Sequence, residues 1–279
     1  MTGPRRSWRD HLDAATTAPD PPPPTAPAAY LDIGEFQGDT YRRNAFAAGT
    51  AEEAAALAAL LGLGAGRRVL DVGCGDGRHL RHLAASHGVV GVGIDVSPAL
   101  VTAGRAAIAT AEGSLPVSLE VADARGLVDH LDVRAGTFDV AWSLCQGGLG
   151  TSPVTDPAIV AGLAAAVRPG GWVAFTCFHA LFAARHLAPG DALDTLELIH
   201  HHRAEVRGPD HARRTFDLWT SAYTAREAAG LATAAGLEVV SVRGVEPGAY
   251  GRRDAGEVAL DDPEVLVLAR RPGEPDAGA

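Results

Sequence analysis

Apolar positions follow two different rhythms along this chain. From residue 69 to residue 177, apolar runs of strand length alternate with helical stretches. The first run, Val69-Leu70-Asp71-Val72, passes through glycines into a helix over Arg78 to Ala84. Val89 to Asp95 is a second strand ending in a carboxylate, and Ser97-Pro98 supplies an N-cap with proline at the first helical position. Val117 to Asp123 is a third strand with the same acidic ending. Phe138 to Leu144 is the fourth, and Asp156-Pro157 opens its helix. Arg168-Pro-Gly-Gly171 turns into the fifth, Trp172 to Cys177. Upstream, Thr50-Ala-Glu-Glu53 reads as a capping box opening a helix that ends near Gly62. Repeated βα units of this size predict an α/β fold, a doubly wound and mostly parallel sheet with helices on both faces.

The second rhythm has a period of two. Leu196, Leu198, His200, His202, Ala204 and Val206 alternate with mostly polar neighbours. Gly208-Pro-Asp210 makes a turn, and Arg214, Phe216, Leu218 and Thr220 alternate again. This predicts a β-hairpin inserted after the fifth strand. Thr224 and Glu227 cap the next helix, Gly236 ends it, and Leu237–Val242 and Glu264–Ala269 are two last strands. At the other end, residues 1–28 hold Pro19, Pro21, Pro22, Pro23, Pro24 and Pro27 and read as a disordered arm. Tyr30, Phe36, Tyr41 and Phe46 form an aromatic cluster before the first strand.

Composition narrows the function. At 279 residues and 47% hydrophobic, the chain buries one substantial core, so residues 29–279 are expected to form a single domain. A net charge of −10 argues against a nucleic-acid partner, since phosphate binding needs a basic face. No apolar run reaches membrane-span length and the start lacks a signal-peptide core, so no membrane partner is expected. Three cysteines without a Cys-x-x-Cys pair fit a cytoplasmic protein and supply no zinc cluster. Abundant Ala, Gly, Arg and Asp suggest a bacterial source with GC-rich DNA.

The chemistry concentrates in residues 69–77, Val-Leu-Asp-Val-Gly-Cys-Gly-Asp-Gly. A strand feeding a glycine turn and a helix receives nucleotide-like ligands, because glycine leaves backbone N–H groups open to them. A dinucleotide fingerprint from Gly73 and Gly75 would place its third glycine at Arg78, whereas here it falls at Gly77. The Asp-x-Gly-x-Gly-x-Gly form resembles motif I of the class I S-adenosylmethionine-dependent methyltransferases, and Arg168-Pro-Gly-Gly171 matches a turn common among them. Residues 223–227 and 235–237 resemble the C-terminal portion of the small-molecule branch.

The resemblance implies a seven-stranded sheet with an antiparallel last strand and S-adenosylmethionine as cofactor. It places Asp71, Gly73 and Gly75, with Cys74 between them, around the methionine moiety. Asp95, beside Val96, falls on the ribose, and Asp123 with Ala124 on the adenine. A carboxylate at Asp95 suits the ribose diol because it accepts hydrogen bonds from both hydroxyls. Leu144, Cys145 and Gln146 end the fourth strand beside the switch point where such sheets bind ligands. The Asn/Asp-Pro-Pro-aromatic motif of nucleic-acid and glutamine amino-methylating enzymes is replaced here by Ser-Leu-Cys-Gln over residues 143–146.

Methyl transfer from a sulfonium needs alignment above all, and a base only where the acceptor holds a proton. His179, just past strand five, is the candidate base. Tyr41, Trp219, Tyr223 and Tyr250 are candidate acceptor-lining residues. The His200-His201-His202 run is not expected to bind a metal, because a strand turns His201 away from the other two. The expected function is methyl transfer to a small-molecule O, N or C nucleophile, with residues 178–222 as a lid over the site. The alternatives are an NAD(P)-dependent oxidoreductase, which the absence of any lysine disfavours, and a non-catalytic cofactor-binding regulator.

Overall fold

The computed structural model describes residues 26–44, 49–130, 135–145 and 148–273. The chain enters as helix α1 (Ala26–Gln37), followed by a 3-10 turn (Gly38–Arg43) and α2 (Thr50–Leu61). Then come β1 (Arg68–Val72), α3 (Arg78–His87), β2 (Val90–Asp95), α4 (Pro98–Ala109) and β3 (Val117–Val121). A 3-10 turn (Ala124–Gly126) and the short α5 (Leu127–His130) lead to β4 (Phe138–Ser143), α6 (Asp156–Ala166) and β5 (Val167–His179). The inserted region holds α7 (Ala180–Arg185), β6 (Ala192–Asp194), β7 (Ile199–Arg207) and β8 (Arg213–Tyr223). The chain closes with α8 (Ala225–Ala234), β9 (Glu238–Val245) and β10 (Glu264–Arg270).

The main sheet runs β3-β2-β1-β4-β5-β10-β9. Strands β1 to β5 are parallel, and β10 lies antiparallel between β5 and β9. That is the expected seven-stranded arrangement. Three further antiparallel strands, β6-β7-β8, join through Phe178↔Ala222 and His179↔Tyr223 at the end of β5. Both faces of the main sheet are covered. Val265, Val267 and Ala269 pack with Ile159, Leu163, Ala228 and Ala232 on one side. Leu266 and Leu268 pack with Leu57, Leu61, Leu80 and Leu83 on the other. A strand buried on both faces needs a continuous apolar run, which β10 supplies after Glu264.

Strand ends and caps match the sequence pattern closely. Ser97 accepts from the Leu100 N–H, Thr224 and Glu227 form a capping box, and Gly62 and Gly88 end α2 and α3 in left-handed conformations. Three expectations change. Gly49, not Thr50, precedes the first turn of α2, so Thr50-Ala-Glu-Glu53 is not a capping box; Glu53 instead turns into the core. Helix α1 begins at Ala26, so the last residues of the expected arm are helical, while residues 1–25 lie outside the described residues. Tyr30, Ile33, Phe36 and Gln37 recur at helical spacing, a signal that the aromatic cluster hid. Strand β5 absorbs the Arg168-Pro-Gly-Gly171 turn, with Gly170 at φ 74°. Phe46 and Gln146 lie outside the described residues.

Candidate active site

A cavity of about 860 Å³ opens at the carboxyl ends of the parallel strands. Gly73, Asp95, Val96, Asp123, Ala124 and Cys145 line it from the end of β2 and the loops after β1, β2, β3 and β4. The order β3-β2-β1-β4 reverses its chain direction between β1 and β4, the switch point where such sheets form a crevice. The opposite wall comes from α1 and the 3-10 turn after it, through Tyr30, Ile33, Gln37 and Tyr41, and from the hairpin tip, through Val206, Arg207 and Gly208.

The glycine turn is fixed by short hydrogen bonds. The Gly73 and Cys74 N–H groups both donate to the Ile94 carbonyl, at 2.8 and 2.9 Å. Asp95 Oδ2 accepts from the Gly75 N–H at 2.7 Å and Oδ1 from the Ser97 N–H at 2.9 Å. Each carboxylate oxygen keeps a second lone-pair direction for a ligand. Burial raises the Asp95 pKa, against those two backbone donors. Gly75 holds φ +57°, and a Cβ there would stand 3.2 Å from the Tyr41 ring. Tyr41 thus sits over the turn, and burial raises the pKa of its phenol. Asp123 caps the 3-10 turn and pairs with Arg125, which holds its carboxyl below the ordinary range.

Beneath the cavity lies a polar cluster that sequence reading missed. Glu53 is fully buried and receives Arg78 Nη1 at 2.6 Å, His79 Nε2 at 2.6 Å and the Gly248 N–H at 2.8 Å. Arg78 also donates to Thr50 Oγ1 at 2.8 Å and to Cys145 Sγ at 3.3 Å. The residue that breaks the dinucleotide fingerprint therefore ties α2, α3 and the end of β4 together. Glu53, His79 and Cys145 bring possible metal-ligand atoms within 4.8 Å of one another, but the Arg78 cation already occupies the carboxylate. Cys145 adopts φ +53°, uncommon for a residue with a side chain and a mark of a constrained site. Its N–H donates to Thr176 Oγ1 at 2.8 Å.

Several expected residues are placed elsewhere. His179 does not line the cavity: it is buried at the N-terminus of α7, with Nδ1 3.0 Å from the Asp262 carbonyl. Tyr223 donates to Asp156 Oδ2 at 2.6 Å within the core. Tyr250 is fully buried, its hydroxyl 2.8 Å from Cys145 Sγ. Trp219 stacks on His201 with ring centroids 4.7 Å apart, on the hairpin face opposite Phe216. Of the four aromatic candidates, Tyr41 alone is in the cavity wall. Cys74 and Leu144 are buried behind the wall, as is Asp71, whose pKa burial lifts to about 7 against the pull of Arg78. His200 and His202 stack at 4.9 Å while His201 faces away, as the strand period requires.

The wall also contains a carboxylate that the sequence did not single out. Glu264, at the start of β10, is 5% exposed and its Oε2 has no hydrogen-bond partner.

The residues fit the cofactor that the resemblance implies. Gly73 and Gly75 keep side chains out of the turn, Asp95 presents two acceptor oxygens, and Asp123 and Ala124 add a polar and an apolar surface to the cavity wall. Comparison with known proteins agrees. The chain matches the "Methyltransferase domain" family over residues 69–171. It is 32% identical over 214 residues to a "Ubiquinone biosynthesis O-methyltransferase" of Ralstonia nicotianae, covering 76% of this chain and 79% of that protein. A protein of the same name from Burkholderia multivorans is 30% identical over 213 residues, covering 74% and 79%. Among solved structures, the CcbJ methyltransferase of Streptomyces caelestis superposes with a TM-score of 0.64 at 20% identity, covering 80% of this chain and 90% of that one. An S-adenosylmethionine-dependent methyltransferase of Clostridium acetobutylicum gives 0.63 at 13% identity, covering 88% and 99%. The structural likenesses establish the fold, and the sequence relatives carry the family. This chain belongs to the class I S-adenosylmethionine-dependent methyltransferases and transfers a methyl group to a small molecule.

Proposed function

We propose that the acceptor is a hydroxyl on an aromatic ring, methylated at the end of the cavity away from Asp95 and Asp123. The observation that carries this is the cavity itself. At about 860 Å³ it lies near the upper end of the roughly 300–1,000 Å³ range of small-molecule sites, room for a cofactor and a second small ligand. Away from Asp95 and Asp123 the wall mixes apolar and aromatic residues, Tyr30, Ile33, Tyr41, Ile159, Val206 and Pro247, with polar ones such as Thr151 and Glu264. Relatives named for O-methylation in ubiquinone biosynthesis support an oxygen nucleophile on a ring.

In this reading Gly73 and Gly75, with Asp71 behind them, receive the methionine end of the cofactor. Asp95 accepts from the ribose hydroxyls, and Asp123 with Ala124 receives the adenine. The bound cofactor supplies an activated methyl group on a sulfonium. The chain's contribution is alignment and exclusion of water, which account for most of the acceleration in a transfer between two held reactants. Residues 178–222 and α1 serve as the cover of one domain spanning 29–279. The free state of all three cysteines supports a cytoplasmic setting.

The test is transfer of labelled methyl to catechol and, in parallel, to benzylamine. Labelled catechol ether as the main product is expected. Exclusive labelling of the amine would replace the hydroxyl reading with N-methylation.

A further inference from the structure

We infer that Glu264 is the residue that takes the proton from the acceptor. The inference rests on the hydroxyl reading above and adds the group that completes its chemistry.

Position is the first argument. Counting along the carboxyl edge of the sheet, Asp123, Asp95, Gly73 and Cys145 follow β3, β2, β1 and β4. Strand β10 runs antiparallel, so its first residue, Glu264, lies at that same edge, paired with Phe178 near the end of β5. Glu264 is four strands from β2, roughly 19 Å at the usual strand spacing. A cofactor reaching from β3 to β1 therefore leaves the Glu264 end of the cavity for the acceptor.

The second argument is an unmet bond. Oε2 of Glu264 is buried in the cavity wall without a partner. A buried carboxylate oxygen without a donor is costly, and of the four such oxygens among the described residues, on Asp71, Asp76, Asp156 and Glu264, only that of Glu264 belongs to a residue lining this cavity. Glu205 and His211 line the cavity at the hairpin tip instead, and the base and two of the tyrosines that the sequence offered are spoken for. His179 faces the Asp262 carbonyl, and Tyr223 and Tyr250 are committed to Asp156 and Cys145.

The third argument is tuning. Burial lifts the Glu264 pKa to about 7, against a hydrogen bond from Thr176; Glu53 adds to the rise and Arg78 opposes it. The other titratable groups facing it are Cys145, Cys177 and Tyr250, all held protonated by burial. A base works best when its pKa lies near the working pH. In the step itself, the acceptor oxygen forms a bond to the methyl carbon as the carbon–sulfur bond breaks, its electron pair staying on sulfur. The hydroxyl proton passes to Glu264 Oε2 and from there to solvent after product leaves.

The experiment compares the wild-type protein with E264Q, which keeps the shape and removes the base. With catechol, kcat near pH 7 should fall about 100- to 1,000-fold, within the range for loss of a general base. The wild-type rise in rate through about pH 7 should vanish, and activity should return at alkaline pH where the phenol ionises unaided. Affinity for S-adenosylmethionine should stay within about twofold. If only the amine is methylated, the hydroxyl reading fails, but the same comparison is then read with benzylamine, whose ammonium must also lose a proton.

A readout without turnover accompanies it. Binding of 4-nitrocatechol at about pH 8 beside S-adenosylhomocysteine should take up close to one proton in wild type and none in E264Q, measured by calorimetry in two buffers. Folding is checked by melting. A carboxyl raised in the folded state stabilises fully below its unfolded pKa and loses that stability as pH rises through about 7. E264Q should therefore melt above wild type at about pH 8 and lose that advantage at about pH 5. An unchanged pH–rate profile, or equal proton uptake in the two proteins, overturns the role of Glu264 and leaves O-methylation standing.

Discussion

The floor and the cover of the cavity are built by opposite strategies. On the floor, at the end proposed for the cofactor, Gly73, Asp95 and Asp123 each stand just past or at the end of one parallel strand, and adjacent strands bring them together. The contacts that shape it are backbone-based and close, such as Gly75 N–H to Asp95 at 2.7 Å. The cover over the cavity is assembled from distant segments. Gln37 Nε2 donates to the Arg207 carbonyl at 3.2 Å across 170 residues of chain, and Phe36 meets Phe216 at 5.9 Å between ring centroids. Glu35 also accepts from the Ala99 N–H at 3.1 Å, so α1 rests on the start of α4 as well as on the hairpin. The floor takes its shape from the strand order, and the cover holds its shape through contacts between surface elements. A fold built this way keeps one ligand constant and leaves the other free to vary.

The comparison breaks most readily at Gly75. Its left-handed φ costs a residue with a Cβ about 1–2 kcal/mol, and that Cβ would press on Tyr41 at 3.2 Å. Gly75→Ala should weaken S-adenosylmethionine binding about a hundredfold, equivalent to about 2.7 kcal/mol, as measured by calorimetry. Binding within twofold of wild type would show that the turn tolerates a side chain and does not closely approach the cofactor.

Asp95→Ala comes next. It removes the acceptor proposed for the ribose and leaves the Gly75 and Ser97 N–H groups without their partner. A loss of about 1–3 kcal/mol in cofactor affinity is expected, with acceptor selectivity unchanged. If selectivity changes and affinity does not, the floor and the cover are not separable in the way their construction suggests.

The same division explains what the sequence disclosed. Gly73, Asp95 and Asp123 were legible because each follows an apolar run, and a parallel sheet sets such residues side by side. Glu264 was not: it reads as the first residue of the last strand, and nothing in Asp261-Asp262-Pro263-Glu264 says which of these carboxylates is buried. Insertion of β10 between β5 and β9 is what buries it. Glu53 was misread for a related reason: Thr50 and Glu53 have capping-box spacing, but Arg78 and His79 draw the carboxylate inward. Tyr223 and Tyr250 are aromatic residues whose direction depends on tertiary packing, and both turned into the core.

A smaller effect is expected at the contact between the hairpin and α1. A Cβ on Gly208 would stand 2.7 Å from the Phe36 ring, so Gly208→Ala must displace the tip or the helix. KM for the acceptor should rise about tenfold while cofactor affinity holds, since small misplacements of covering elements disturb alignment. Equal losses in both would mean that α1 supports the cofactor end too, which its Glu35 contact with Ala99 makes a real alternative.

The finest distinction lies within a single strand. Phe216 and Trp219 are three residues apart on β8 and point to opposite faces, because side chains alternate along a strand. Phe216, 6% exposed, packs on Phe36 and beneath Arg214; Trp219 packs on His201, away from the cavity. Phe216→Ala should therefore raise the acceptor KM as well as lower the melting temperature. Trp219→Ala should leave both KM and cofactor affinity within about twofold, the range for substitutions away from a site. Its cost is confined to local hairpin stability, because the aromatic stack with His201 contributes about 0.5–1.5 kcal/mol beyond burial. Measured together, the two variants separate a cover that shapes the acceptor site from a hairpin that merely stands beside it. If Trp219→Ala changes acceptor use as strongly as Phe216→Ala at equal loss of stability, the hairpin acts through its overall order, and the face that meets α1 has no special part in choosing the acceptor.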